Sequence, residues 1–298
     1  MEEKAREKAK KIGRLLTNSF NGSHAVEIVS IAPAAGYDAS VYKNKFCSPF
    51  VDKANGCDEV CTSTWGAFES TDGVARLYVD WSNGNWVLIV GAALELLGRD
   101  GRADYAFLRH APRMLSTEMS GKRHARGRGY VHNVGVRWRC EERTEQTGLP
   151  KLGPTAMLPS CDTREYLSFV GNLRPLCDDV QSVASMFIPQ EIEESKVSLS
   201  SALKDKHNLA ITTAYASVAI GGGARNKERG SVGGGYACHT DEDDANTGIF
   251  SAFGKDGGCL AFPQYERVAK LRGLKGDVLL FPTTMEHGCE VHPDTPYN

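Results

Sequence analysis

The sequence predicts an α+β fold in which helices pack against an all-β module of sandwich or barrel type. Two observations carry this. A stretch after Asp162 repeats apolar residues at helical spacing, and the last third of the chain is a series of short β-type runs separated by glycine-rich turns. With 298 residues, 41% of them apolar, the chain can build one large core or two ordinary ones.

The elements follow in chain order. "MEEKAREKAKKIGRLLTNSF" places Ala5, Ala9, Ile12, Leu16 and Phe20 on one stripe, the pattern of a surface helix, and lacks the apolar core of a secretory signal. "GVARLYVDW" and "WVLIVGAALELLG" read as a strand, a turn at Ser82-Asn83-Gly84, and a second strand or a strand running into a helix. That second run is too short to span a bilayer and carries Glu95. Pro, Gly and Thr concentrate in residues 145 to 161, so a boundary is expected there, dividing an N-terminal region (1–160) of α/β character from residues 161–298. Asp162 can cap a helix with Glu165 at its third position. Leu167, Val170, Leu173, Leu176, Val180 and Val183 continue it, and Pro175 should kink or divide the segment into two helices. "HNLAITTAYASVAI" is a β-type run. "GGGARNKERGSVGGG" reads as a flexible loop or hairpin tip, and "GYACHTD", "TGIFSAF", "GGCLAF", "RVAKL" and "DVLLF" as strands.

Composition excludes several classes. A net charge of −2 gives no global attraction to nucleic acid or to an anionic membrane. Nine scattered cysteines do not form a stapled scaffold, which implies a reducing compartment and a soluble, intracellular protein. Cys57 and Cys61, with Cys47 nearby, lack the second close pair of a zinc site and read as buried thiols. The triple glycines at 221–223 and 233–235 do not stand between a strand and a helix, so they are no dinucleotide fingerprint.

The most informative stretch is "CHTDEDD", residues 238 to 244. A calcium loop counted from Asp241 fails, because the sixth position is Asn246 and the twelfth is Ala252 where glycine and glutamate are needed. His239 and Asp241, two residues apart, share one face of a strand. His287, after the buried-type run "DVLLF", is the natural third ligand, with His292 the alternative if the strand register differs. Two histidines and one carboxylate hold Fe(II) and leave positions for a cosubstrate and oxygen. Asp244 falls off that strand and is expected to act beside the metal on bound ligand or substrate. Cys238 and Cys289 neighbour the ligands and are expected to pack among the strands.

The segment from "GYACHTD" through "GGCLAF" to "GDVLLFPTTMEHG" resembles the double-stranded β-helix (jelly-roll) core of Fe(II)/2-oxoglutarate dioxygenases, over roughly residues 205 to 298. The His-x-Asp-x-x-Asp spacing and the His-Gly ending look most like the Tet/JBP-type branch, which includes an algal 5-methylcytosine-modifying enzyme. The resemblance implies iron at His239, Asp241 and His287, 2-oxoglutarate or ascorbate as cosubstrate, and the methyl group of 5-methylcytosine or thymine in DNA as acceptor, with a nuclear location if DNA is the substrate. Family members carry an Arg or Lys about ten residues after the second histidine to pair the distal carboxylate of 2-oxoglutarate. Here no Lys or Arg follows His287. The sequence leaves three explanations: a last strand cut short at Asn298, another base among Lys255, Lys270, Arg272 and Lys275, or a different cosubstrate. "GKRHARGRG" offers Lys122, Arg123, Arg126 and Arg128 for DNA phosphates, with Tyr130 and Trp138 behind for stacking. A prolyl-type hydroxylase with the same iron site and a catalytically silent metal-binding module are the competing readings.

Overall fold

A computed structural model describes residues 26–49, 59–99, 127–128, 130–143, 150–154, 163–203, 210–222, 224–226, 230–232, 235–241, 247–251, 259–273 and 275–290. The expected N-terminal surface helix lies outside them. The described chain is mixed α+β, mostly strands in sheets with few helices. Its first part holds β1 (Val26–Ser30), α1 (Ala39–Tyr42), β2 (Phe46–Ser48), β3 (Glu59–Cys61), β4 (Gly66–Phe68), β5 (Ala75–Asp80), β6 (Asn85–Val90), β7 (Gly127–Arg128), β8 (Tyr130–Arg143) and β9 (Pro150–Pro154). Then come α2 (Thr163–Phe187), α3 (Pro189–Leu203), β10 (Ser217–Gly222), β11 (Ala224–Asn226), β12 (Gly230–Val232), β13 (Gly235–His239), β14 (Thr247–Ser251), β15 (Cys259–Phe262), β16 (Arg267–Lys270), β17 (Val278–Pro282) and β18 (His287–Cys289).

Side-chain alternation in β6 and β17 sets the layering. Trp86, Leu88, Val90, Val278 and Leu280 face one way, onto Val183, Ala184, Phe187 and Ile192 of the helices. Val87, Ile89, Leu279 and Phe281 face the other way, onto Leu260, Phe262 and Ala269 of a second sheet. Burial on both faces explains why these strands read as unbroken apolar runs. The first sheet has the order β1-β5-β6-β17-β14 and the second β4-β16-β15-β18-β13-β7.

Both sheets therefore mix strands from either side of the boundary expected near residue 160. β6 pairs with β17 and β4 with β16, so the early strands complete the sheets that the late strands begin. Pro150–Pro154, inside the expected linker, is strand β9 paired with β8.

Two helices form as expected, but the division falls elsewhere. α2 runs through Pro175, whose missing N–H leaves only the carbonyl of Gly171 without its helical donor, and both residues are exposed. The break comes at Ile188, because the residue before Pro189 is pushed from helical geometry while proline suits the first position of α3. The β-type run after His207 is also shorter than expected. Thr212 Oγ1 accepts from the N–H groups of Ala214 and Tyr215, a local turn that holds the chain out of a ladder until Ser217. The glycine-rich tip is a two-stranded hairpin of β11 and β12.

Candidate metal centre

β13 and β18 are antiparallel neighbours in the second sheet, and their register sets His239 opposite His287. A residue in the first of these strands and one in the second thus meet although 47 intervening residues separate them in the sequence. The approach depends on Gly288. A Cβ there would lie 2.9 Å from the Tyr236 carbonyl oxygen and 3.0 Å from the Cys238 nitrogen. Glycine lets the strands close until the two imidazole centroids are 4.5 Å apart.

Asp241 stands two residues beyond the end of β13. Its N–H donates to the Thr283 carbonyl (3.0 Å), which pins the chain after the strand so that the carboxylate turns back to the imidazoles. Its oxygens lie 3.5 Å from His239 Nε2 and 3.4 Å from His287 Nε2. All three ligand atoms lie within 4.8 Å of one another. Metal–ligand bonds of about 2.1 Å place neighbouring ligand atoms about 3–3.5 Å apart, so the observed triangle admits an ion with little movement.

The backbone decides which imidazole nitrogen faces inward. Nδ1 of His239 lies 2.7 Å from the Ala237 carbonyl and Nδ1 of His287 lies 2.9 Å from the Met285 carbonyl. A carbonyl can only accept, so each Nδ1 carries a proton, and Nε2 is the nitrogen left to offer a lone pair to a cation at the centre. Two lone pairs and a carboxylate then point at one another, and only a cation between them, a proton or a metal, relieves the repulsion. With a proton on Nε2 in place of a metal, each imidazole donates to Asp241; burial alone would raise the carboxyl, but these hydrogen bonds and the charges that come with them outweigh it and hold the group well below the ordinary carboxylate range.

Aromatic rings flank the pair. Tyr236 lies against His239 and Phe281 against His287, each at 4.8 Å between centroids. Three residues apart in a regular strand, Tyr236 and His239 would face opposite ways, but the register shifts between them and brings the rings together. Behind the triangle Tyr37 Oη donates to Glu286 Oε2, and burial raises both groups above their usual ranges, Tyr37 further through its bond to the Glu286 carboxylate. The sequence carries no signal for Tyr37, which is 249 positions from its partner. The carbonyls of Ala237 and Met285 are equally silent in sequence, since any residue supplies one.

The other candidate residues are placed elsewhere. Arg272 donates through Nε and Nη2 to Asp277 (3.0 Å each), through Nη2 to Ser70, and pairs with Asp72, while Lys275 pairs with Glu95 and Asp72. Asp277 precedes β17 and Thr283 follows it, so this cluster sits at the far end of that strand from the triangle, roughly 20 Å away at about 3.3 Å per residue. Arg272 and Lys275 thus do not suit the expected cosubstrate contact, because acids already meet their charges at a distance from the triangle. Lys270 ends β16, exposed, opposite Cys259. Asp244, Lys255, His292 and the basic residues Lys122, Arg123 and Arg126 lie outside the described residues. Arg128 is in β7, where its backbone pairs with Gly235 of β13. Among the described residues no helix is long and apolar enough to cross a membrane.

No protein-family model matches this chain, and no curated protein matches its sequence.

Proposed function

We propose that this chain is a non-haem Fe(II) dioxygenase that holds iron through His239, Asp241 and His287, and that its two facing sheets are those of a double-stranded β-helix. The observation that carries the reading is the convergence of two Nε2 lone pairs and one carboxylate, with each Nδ1 committed to a carbonyl of its own segment. Two neutral imidazoles and a carboxylate on one side of an ion are the donor set of Fe(II) oxygenases. Iron bound there supplies oxygen activation, with electrons from 2-oxoglutarate or ascorbate. The chain's own part is to hold the three donors, to shield them with Tyr236 and Phe281, and to exclude water through the apolar core between the sheets.

The preferred acceptor is the methyl group of 5-methylcytosine or thymine in DNA. The basic stretch with Lys122, Arg123, Arg126 and Arg128 runs into β7, which is hydrogen-bonded to the strand bearing His239. A phosphate-neutralising segment that continues in sequence into β7 suits a nucleic-acid substrate, and a base in duplex must be flipped out to reach the ion. Such a substrate implies a nuclear enzyme. Asp244 serves in this reading to orient bound ligand, and Lys255 and Lys270 are the remaining basic candidates for the distal end of the cosubstrate, with Arg272 and Lys275 engaged elsewhere.

The test is aerobic incubation with Fe(II), methylated DNA and each cosubstrate in turn, reading cosubstrate loss and the modified base by mass spectrometry. Turnover is expected, and His239→Ala or Asp241→Ala should abolish it with an unchanged far-UV spectrum. Metal binding without consumption of either cosubstrate would identify a silent metal-binding module. Oxidation of a proline peptide but not of DNA would identify a protein hydroxylase.

A further inference from the structure

Cys238 precedes His239 and faces the opposite side of β13, where it meets Cys47 of β2. The two Sγ atoms are 3.4 Å apart and both residues are fully buried. Around them lie Cys259, Ala261, Val268, Tyr42 and Trp65, a small apolar cluster separate from the core that holds Phe281. The backbones are already tied at this point. Cys238 N–H donates to the Lys45 carbonyl (2.8 Å) and Asn44 N–H to the Cys238 carbonyl (2.9 Å). A disulfide bond is about 2.05 Å long, so the sulfurs need approach by only about 1.4 Å.

We propose that Cys47 and Cys238 form a redox-responsive dithiol, closed to a disulfide by a hydroperoxide, and that closure weakens metal binding by displacing the adjacent His239. The coupling to metal rests on the reading above, whereas the disulfide does not. One thiol attacks the peroxide, forming an S–O bond as the O–O bond breaks and releasing water or an alcohol. The second sulfur then displaces the sulfenic oxygen as water, so two thiols lose two electrons and two protons and the peroxide is reduced. Reaction requires local opening, since the closed pair is buried and Cys47 is held protonated by its bond to Cys238, by burial and by the charges of Glu290 and Glu286. β2 suits such opening, being a three-residue strand laddered to the three-residue β3. The pair therefore answers sustained oxidation, not a brief pulse.

The experiment exposes the full reduced chain to hydrogen peroxide, blocks remaining thiols and maps disulfides by peptide mass spectrometry, with Mn(II) affinity measured by titration calorimetry before and after. A Cys47–Cys238 linkage is expected, with affinity lowered roughly tenfold or more and restored by dithiothreitol. Cys47→Ala should keep the reduced affinity under both conditions, and Cys47→Ser replaces it if the alanine variant does not fold. Free thiols at both positions, or other partners, would overturn the dithiol, and a formed disulfide with unchanged affinity would overturn the coupling. Failure of the reduced chain to bind Mn(II) would overturn both the coupling and the metal reading, while the peptide map would decide the dithiol by itself.

Discussion

Two aspartates stand at opposite ends of β17 and illustrate two uses of a carboxylate. Asp277 is fully buried and accepts from the N–H groups of Ala92 and Arg272 (2.8 Å each), from Ser70 Oγ (2.7 Å), and from Nε and Nη2 of Arg272. Its lone pairs are filled, and Gly276 at φ 62° lets the preceding turn close over Leu94. Asp241 is one-third exposed and faces two imidazole nitrogens that need a proton or a metal between them and it, where Asp277 meets fixed donors. A saturated carboxylate fastens the fold. One aimed at other electron-rich atoms is a place for a cation.

The contrast can be broken by exchanging the losses. Asp241→Asn should lower Mn(II) affinity by at least about a hundredfold while moving the denaturation midpoint less than Asp277→Asn does, since a ligand matters more to the metal than the groups behind it, whose removal costs about 10–100-fold. Asp277→Asn should do the reverse, lowering stability by about 3 kcal/mol in urea unfolding and leaving metal affinity within a few-fold. If both variants lost metal binding and stability together, the division of roles would fail. Gly288→Ala sharpens the geometric side. Its Cβ would force β13 and β18 apart, so stability should fall by about 1–3 kcal/mol and Mn(II) affinity with it.

Acid titration of the metal-free protein separates the two ends further. The folded-state pKa of Asp241 lies below its unfolded value, so its contribution to stability is complete above about pH 4 and is lost as pH falls toward the depressed value. Stability curves from pH 5 downward should fall less steeply in Asp241→Asn than in the natural chain. The smallest effect is expected at Lys275, two-fifths exposed and paired at the surface. Lys275→Gln should leave the urea midpoint and the cosubstrate half-saturation constant unchanged, whereas a marked rise in that constant would return this lysine to the cosubstrate site.

Much of the late half was readable because its signals are local. The runs at "GYACHTD", "RVAKL" and "DVLLF" became β13, β16 and β17, and the turn at Ser82-Asn83-Gly84 joins β5 to β6. His239 and Asp241 announce themselves by adjacency and chemistry. At Arg272 a cation near core strands is visible in sequence while its acids are not: Asp277 is close, but Asp72 is 200 positions away. The stretch near residue 160 was legible only in part for a related reason, as a proline- and glycine-rich segment can still enter a strand when a partner such as β8 offers a ladder.

By itself the sequence determined the two helices and most strands of the late half, the unbroken apolar runs that bury β6 and β17 on both faces, and the three side chains able to hold a metal. Those properties belong to single residues and their near neighbours, so they survive in one dimension. The structure alone decided that His239 lies opposite His287, that carbonyls of Ala237 and Met285 turn both Nε2 atoms inward, and that Cys47 touches Cys238. Each depends on pairing between segments distant in the chain, and pairing is set by how the whole core packs.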